Sequence, residues 1–223
     1  MTAFEYIDHS IPFLKSTDSV EKGLGWMGEY KLLNLAVVDS VTNEFLGLIP
    51  EMVLLNEEGN NVSIQDVQLS FRESTVKLED HIYDALAIVS TTGLDVVPVV
   101  DAENKFAGLL TSTVLLQCMS KISAISTHGG IIELMMNSYD YSMVEIARAV
   151  ESNGAKILSS YISNTEEDVN KTKVLIKLNV SDLSLVVAEF QQLNYTIVAM
   201  YSDYEVPDTT EDNYRHFFKY LDI

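Results

Sequence analysis

The chain is poor in the residues that build disulfides and metal centres. Among its 223 residues is a single cysteine, Cys118, so a disulfide, a CxxC redox pair and a cysteine-based zinc site are excluded within one chain. Its four histidines are scattered without the spacing of metal ligands, and we expect no metal site. The lone cysteine fits a reducing compartment, and we expect a cytoplasmic protein.

Positive charge is also scarce. The chain has 14 lysines and arginines against 33 aspartates and glutamates, a net charge of −19. A field of this sign repels phosphate backbones and anionic lipid surfaces, so we expect neither a nucleic-acid nor a membrane partner. No uncharged apolar run approaches the length of a membrane span, and the first residues lack the pattern of a signal peptide.

What the chain does contain is an internal repeat, in which residues 14–55 are echoed by residues 76–116. Asp39 and Asp101 each end an apolar run and lie 62 residues apart, whereas Gly47 and Gly108 lie 61 apart. One residue is therefore missing from the turn after Asp101. A repeated unit that cannot bury its own apolar face must pack against its copy, which predicts a pseudo-two-fold domain with a cleft at the junction.

Each copy is predicted to run helix, strand, strand, helix. In the first copy Thr17-Asp18 is the predicted N-cap of a helix, followed by strands at 33–38 and 45–49 and a helix from Met52. In the second copy the helices begin near Asp80 and Thr113, with strands at 96–100 and 106–110 between them.

A polar, glycine-rich break at 126–130 precedes a different pattern. Strands are predicted at 131–136, 156–162, around 174–180 and at 196–201, with helices at 142–152 and 182–193. The order β-α-β-β-α-β is that of a ferredoxin-like fold. We predict an α/β and α+β protein with domains at 1–125 (repeats of about 1–60 and 61–125) and 131–205. A C-terminal tail follows at 206–223, and its aromatic-rich part, 212–223, is predicted to dock as a short helix.

The doubled unit, with Val97-Pro98-Val99-Val100-Asp101 followed by Gly108-Leu109-Leu110-Thr111-Ser112-Thr113, resembles a tandem pair of CBS domains. The domain after the break, with Asp140-Tyr141-Ser142-Met143 before its first helix, is similar to an ACT domain. Together the two resemblances cover nearly the whole chain. They imply a CBS pair followed by an ACT-like domain.

The CBS resemblance implies a cleft that binds adenosine nucleotides or related ligands. A strand-end hydroxyl would hold phosphate and an aspartate three residues later would hold the ribose, so the implied site residues are Thr111, Ser112 and Pro98. The ribose position, however, is Val114. The first repeat has Pro50 and Val53 at the two positions. Unpaired ribose hydroxyls cost on the order of 1–3 kcal/mol each, so we expect weak adenosine binding.

The ACT resemblance implies binding of a small amino acid at a dimer interface, through an aspartate and a glycine before the first helix. Here Asp140 and Ser142 are the implied ligand residues, and Met143 stands at the glycine position. The alternative for Asp140 is a helix N-cap that acts with Ser142.

We therefore interpret the chain as a non-enzymatic regulatory protein that senses a small ligand, forms a homodimer and acts on a protein partner. One alternative is an interaction scaffold whose pockets have degenerated. The other is a dinucleotide-dependent enzyme, because Gly23, Gly25 and Gly28 spell GxGxxG. That motif needs an apolar strand directly before its first glycine, and the repeat places these glycines inside a helix instead.

Overall fold

The computed structural model of the chain describes residues 1–60, 62–164 and 168–202. The chain forms two compact units, Met1–Met119 and a second that begins at Ser120. The domain limits expected from the sequence stay a prediction, and the helix expected in the tail lies outside the described residues.

The first unit contains the two predicted repeats. The first repeat consists of β1 (Leu14–Lys15), α1 (Val20–Tyr30), β2 (Asn34–Val38), β3 (Phe45–Pro50) and α2 (Glu51–Asn56). The second repeat consists of β4 (Val76–Lys77), α3 (Ile82–Thr92), β5 (Val96–Val100), β6 (Phe106–Thr111) and α4 (Ser112–Ile122). Each repeat forms a three-stranded sheet, β1-β2-β3 or β4-β5-β6, with one parallel and one antiparallel pair.

The two sheets have the same register, including the same irregularity. Leu35 faces Ile49 in the first and Val97 faces Leu110 in the second, and both ladders shift at the end of the central strand. The hairpin that closes at Asp39 ends with Glu44, whereas the one that closes at Asp101 ends with Lys105, with backbone bonds of 2.9 and 3.0 Å. The one-residue deletion expected in the second turn is confirmed.

The repeats share one hydrophobic core. Leu35 and Ile49 of the first repeat belong to the same buried cluster as Val96 and Leu109 of the second. The central strands β2 and β5 are buried along their whole length, which explains their unbroken apolar sequences. The apolar face of each repeat is therefore buried against the other repeat, as the internal repeat in the sequence predicted.

The start of α1 differs from the prediction. Ser19 is the N-cap, and its side chain accepts a hydrogen bond from the Lys22 backbone N–H at 3.3 Å. Asp18 instead accepts bonds from the Lys15 backbone N–H at 2.8 Å and the Lys22 ammonium at 2.7 Å. Its carboxylate thus ties the turn after β1 to the first turn of the helix, so the predicted N-cap at Thr17-Asp18 is wrong.

The second unit has the predicted β-α-β-β-α-β order. Its elements are β7 (Ile131–Asn137), α5 (Met143–Ser152), β8 (Ile157–Asn164), β9 (Lys171–Leu178), α6 (Ser184–Gln192) and β10 (Thr196–Tyr201). The sheet is antiparallel in the order β10-β7-β9-β8. Alternate residues of β9, Thr172 to Leu178, are buried, and three of them share a core cluster with Ile146 and Phe190 of the two helices. The intervening residues of β9, which include Lys173 and Leu175, lie on the opposite face of the sheet and are partly exposed among the described residues.

Among the described residues, no helix has both the length and the apolar character needed to cross a membrane.

Candidate ligand sites

The hairpins of the two repeats are joined at the pseudo-two-fold axis by a reciprocal set of bonds. The backbone N–H of Phe45 donates to the Asn104 carbonyl, and that of Phe106 donates to the Asn43 carbonyl, both at 3.0 Å. The side-chain amide of each asparagine donates to the carbonyl of the opposite phenylalanine at 3.2 Å. Both asparagines have positive φ, +60° and +63°, a conformation that asparagine tolerates better than most residues. Four bonds therefore fix the junction.

A second link between the repeats lies at the start of β5. The Asp95 carboxylate accepts a bond from the Leu33 backbone N–H at 2.6 Å and another from the Asn34 side chain at 2.7 Å. The Asp95 carbonyl accepts the Ser112 backbone N–H at 2.8 Å. A carboxylate thus lies next to the corner at which Thr111 was predicted to hold phosphate, and its charge disfavours an anion there.

The predicted CBS-cleft residues lie at that corner and on the neighbouring strand. Thr111 ends β6, and its hydroxyl oxygen accepts the Val114 backbone N–H at 3.1 Å, which caps α4. Its O–H remains a possible donor to a ligand. Ser112 begins α4, and Pro98 is buried in β5 opposite Leu109. Whether these residues bind a ligand stays a prediction.

The matching corner of the first repeat has no hydroxyl. Pro50 is the N-cap of α2 and makes no side-chain capping bond. The Glu51 backbone N–H donates to the Leu33 carbonyl at 2.8 Å, as Ser112 does to Asp95. The two corners therefore share backbone geometry and differ in side-chain chemistry.

The repeats also exchange the segments that precede their first strands. Residues near Ala3 bond to the second repeat, with Ala3 N–H to the Asp80 carbonyl at 2.8 Å and Asp8 N–H to the Leu109 carbonyl at 2.9 Å. Residues after 62 make the equivalent bonds to the first repeat, with Ile64 N–H to the Asp18 carbonyl at 3.0 Å. These segments have no shared sequence pattern, so the sequence did not reveal them.

The exchanged segments run close to one glycine in each repeat. Gly108 has a φ of +153°, and a Cβ added there would lie 2.3 Å from the Ile7 Cγ2. Gly47 has a φ of +151°, and a Cβ there would lie 3.0 Å from the Leu69 Cβ. Only glycine adopts this backbone conformation without strain and leaves room for the neighbouring segment. This explains why both repeats have a glycine at this position.

The GxGxxG glycines lie within α1, as the repeat predicted. The residues directly before Gly23 form the first turn of the helix, so the strand that a dinucleotide-binding turn requires is replaced by helix. A Cβ on Gly23 would lie 2.7 Å from the Leu54 Cδ1, whereas Gly25 and Gly28 face open space. Gly23 serves close packing of α1 on α2.

The second unit contains a cavity of about 390 Å³ where β7 ends and α5 and β10 begin. It is lined by Met135, Met136, Asn137, Asp140, Glu145, Lys171, Leu193, Asn194, Tyr195 and Thr196. Asp140, predicted from the sequence, is on this wall. Ser142 is instead the N-cap of α5 and accepts the Glu145 backbone N–H at 3.4 Å.

Acidic groups of this cavity are held by neighbouring side chains. Asp140 accepts a bond from the Asn137 side-chain amide at 2.8 Å. The N-cap of α5 is Ser142, so the capping alternative is confirmed for Ser142 and wrong for Asp140. Glu145 accepts the Tyr195 hydroxyl at 3.2 Å. Burial, and then this bond, raise the pKa of Tyr195. Lys171 supplies positive charge to the same cavity.

Sequence reasoning missed Glu145, Lys171, Asn194 and Tyr195. They lie on α5, on β9 and in the turn between α6 and β10. The antiparallel pairing of β7 with β9 and β10 brings Lys171 and the turn to the same end of the sheet. No local motif marks such a set.

No protein-family model matches the sequence, and no curated protein matches it either. Solved structures do match. A CBS domain pair/ACT domain protein from Thermotoga maritima superposes with a TM-score of 0.50 at 23% identity, over 53% of this chain and 96% of that one.

Two further structures are similar over the same share of the chain. The CBS domains of a transcriptional regulator from Streptococcus pneumoniae have a TM-score of 0.47 at 18% identity, over 52% of this chain and 98% of that one. The CBS-pair protein CBSX2 from Arabidopsis thaliana also scores 0.47, at 21% identity, over 54% and 95%. With the doubled register of the first unit, the Thermotoga match shows that about half of the chain has the fold of a CBS domain pair.

Proposed function

We propose that the protein is a non-enzymatic regulatory sensor, in which a CBS pair is joined to an ACT-like domain that binds a small ligand. The observation that carries the proposal is the cavity at Asp140, which lies at the loop before α5. That loop is where the resemblance to ACT domains implies a ligand. The β10-β7-β9-β8 sheet order supports the same assignment.

The lining of the cavity favours a small zwitterion such as an amino acid. Asp140 and Glu145 provide carboxylates for an ammonium group, while Lys171 provides a cation for a carboxylate. Tyr195 and Met135 add aromatic and apolar surface for a side chain. A volume of about 390 Å³ lies within the range of small-molecule sites.

The CBS cleft is proposed as a second, weaker ligand site. Thr111 is its anchor, because its hydroxyl can donate while it caps α4. Val114 and the Asp95 carboxylate argue against a nucleotide, since the first cannot pair ribose hydroxyls and the second repels phosphate. A neutral or cationic metabolite fits this corner better than AMP or ATP.

The response to ligand is proposed to be a population shift in a homodimer, which changes a surface that a partner protein reads. Exposed apolar side chains on the helices of the first unit support self-association. Leu55 is 44% exposed and Leu116, its equivalent in the second repeat, is 69% exposed. Tyr83 on α3 is 48% exposed. Such surface is favourable to bury between copies.

A thermal-shift screen of amino acids, nucleotides and other metabolites tests the proposal. A ligand at about 100 times its Kd adds about 2.7 kcal/mol to the free energy of unfolding. This raises the melting temperature by several degrees, since about 1 kcal/mol moves a domain of this size by about 2–4 °C. We expect an amino acid to give this shift, and Asp140→Asn to abolish it.

Glu151→Gln is the matched control, because Glu151 lies outside the cavity and pairs with Lys156 at 3.5 Å. It should leave the ligand-induced shift unchanged. If no compound stabilises the natural chain, the alternative of a scaffold with degenerate pockets, favoured by Val53, Val114 and Met143, replaces the sensor.

A further inference from the structure

A second cavity lies on the face of the sheet in the second unit that is opposite α5 and α6. It has a volume of about 300 Å³ and is lined by Ser123, Ile125, Ile131, Ser159, Tyr161, Leu175 and Lys177. None of these residues lines the cavity at Asp140. The site is therefore separate from the one in the proposed function.

The floor of this cavity is set by strand register. Lys177 on β9 faces Ile131 on β7 and Ser159 on β8, which places the three side chains in one row across the sheet. Leu175 and Tyr161 face each other in the next row. The floor is thus fixed by three paired strands.

One wall comes from the chain that follows α4. The Ser123 carbonyl accepts the Ser159 hydroxyl at 2.9 Å, and the Ser123 hydroxyl is hydrogen-bonded to the Tyr161 hydroxyl. Ile125 lines the cavity and is 66% exposed. These bonds use the hydroxyl groups of the cavity, so its remaining surface is mainly aliphatic and aromatic.

Lys177 is the one cationic side chain among the residues that line this cavity, and it also lines a neighbouring cavity that includes Gly129. Its side chain is partly buried, and its ammonium donates to the Gly129 carbonyl at 2.9 Å. An ammonium has three donors, and two of them have no bond to any of the described residues. Its neighbour Lys173 is paired with Glu133 at 3.7 Å. Within residues 1–60, 62–164 and 168–202, Lys177 itself forms no ion pair.

From these features we infer that the cavity binds a small anion with an apolar body, such as a medium-chain carboxylate, with the carboxylate at Lys177 and the chain against Leu175, Ile131 and Ile125. An apolar pocket with one placed charge is the usual form of a small-molecule site. The volume suits such a molecule better than a protein segment. The inference is independent of the cavity at Asp140.

The overall charge of the chain helps to distinguish specific binding at this cavity from non-specific binding at the surface. A net charge of −19 favours cations at every non-specific surface site. Octanoate and octylammonium carry the same apolar chain with opposite charge. Preference for octanoate therefore reports a local cation, and a preference for octylammonium would contradict the inference.

In the experiment the full chain is titrated with each compound, and binding is monitored through NMR amide shifts and by calorimetry. Octanoate is expected to bind saturably and to shift the amides of Ile125, Tyr161 and Leu175, whereas octylammonium is not. Lys177→Met should weaken octanoate binding by about tenfold or more, a difference of about 1.4 kcal/mol. Lys177→Gln keeps a donor for the Gly129 carbonyl without the charge and should weaken it equally.

Lys173→Met is the matched control, because Lys173 lies on the same strand but outside the cavity, and it should leave the affinity unchanged. Asp140→Asn should also leave it unchanged, which separates this site from the proposed function. The inference is overturned if octanoate does not saturate, if the Lys173 and Lys177 variants are weakened equally, or if the shifted amides surround Asp140. It is also overturned if octanoate only dissociates a dimer without dependence on Lys177, which would make this face an interface between copies.

Discussion

The side-chain amide of Asn43, in the hairpin of the first repeat, donates to the carbonyl of Phe106, the first residue of β6. The side-chain amide of Asn104, in the hairpin of the second repeat, donates to the carbonyl of Phe45, the first residue of β3, and both bonds are 3.2 Å long. The relationship is reciprocal, so the two repeats are joined at their hairpins by one geometry used twice. Each hairpin depends on the other for its conformation.

Asn43→Gly and Asn104→Gly test this symmetry. Glycine keeps the left-handed backbone and removes only the side-chain amide, so each variant should lose about 0.5–1.5 kcal/mol of unfolding free energy. Urea denaturation measures the loss, and the double variant should show non-additivity because the two sites are in contact. Additive losses, or a loss at only one position, would contradict the reciprocal arrangement.

The glycines of α1 should respond to alanine in opposite ways. Gly25→Ala and Gly28→Ala each place a methyl group in open space and remove backbone freedom from the unfolded chain, so each should stabilise by about 0.5–1 kcal/mol. Gly23→Ala is the contrast, since its Cβ would lie 2.7 Å from the Leu54 Cδ1. Thermal unfolding should show gains for the first two. A gain for Gly23→Ala as large as theirs would show that α2 does not restrict α1.

The natural chain should bind adenosine nucleotides weakly, and a single substitution at Val114 should increase the affinity. Val114→Asp supplies the missing ribose acceptor three residues after Thr111, and calorimetry with AMP should show increased affinity. Val53→Asp is its control. It adds the same group beside Pro50, where the strand-end hydroxyl is also lacking, and should gain little. Tight AMP binding by the natural chain would show that Val114 and Asp95 do not act as argued.

Asp39 should make stability depend on acid. The backbone N–H groups of Thr42 and Val41 donate to its carboxylate and hold its pKa below the ordinary value. Because the pKa is lowered by folding, the carboxylate stabilises the fold fully at pH values above its pKa in the unfolded chain, about 3.9. This stabilisation is lost as the pH falls through the lower pKa of the folded chain.

NMR titration of the Asp39 carboxyl should therefore give a midpoint below that of an unfolded chain. The difference in unfolding free energy between the natural chain and Asp39→Ala should shrink towards strongly acid pH. A difference independent of pH would mean that the ionised carboxylate contributes nothing beyond its geometry.

Much of the fold followed from periodicity and repetition. The change of offset from 62 at Asp101 to 61 at Gly108 predicted the shortened turn. The unbroken apolar runs predicted the central strands, because a strand buried on both faces is apolar throughout. The two-residue strands and the exchanged segments did not follow. Leu14–Lys15 is too short for any period, and the bond from Ala3 to Asp80 depends on tertiary packing alone.

The candidate sites were predictable only in part. Asp140 was predicted through the resemblance to ACT domains, which implies a ligand residue in the loop before the first helix, and it lies in the short turn between β7 and α5. Tyr195 and Lys171 reach the same cavity through strand pairing. Asp95 acts on residues of the other repeat, 61 and 62 positions away. These long-range placements are decided by topology, which a single sequence does not show.

Native mass spectrometry of the full chain, titrated with the amino acid that raises its melting temperature most, tests the regulatory claim most directly. It reports the number of copies and the number of bound ligands in each species together. A regulatory sensor must bind ligand with different affinity in its two states. The account predicts ligand-loaded species whose distribution between monomer and dimer differs from that of the empty chain, and loss of both effects in Asp140→Asn. Loading of monomer and dimer to the same extent, or no loading by any compound, would contradict it.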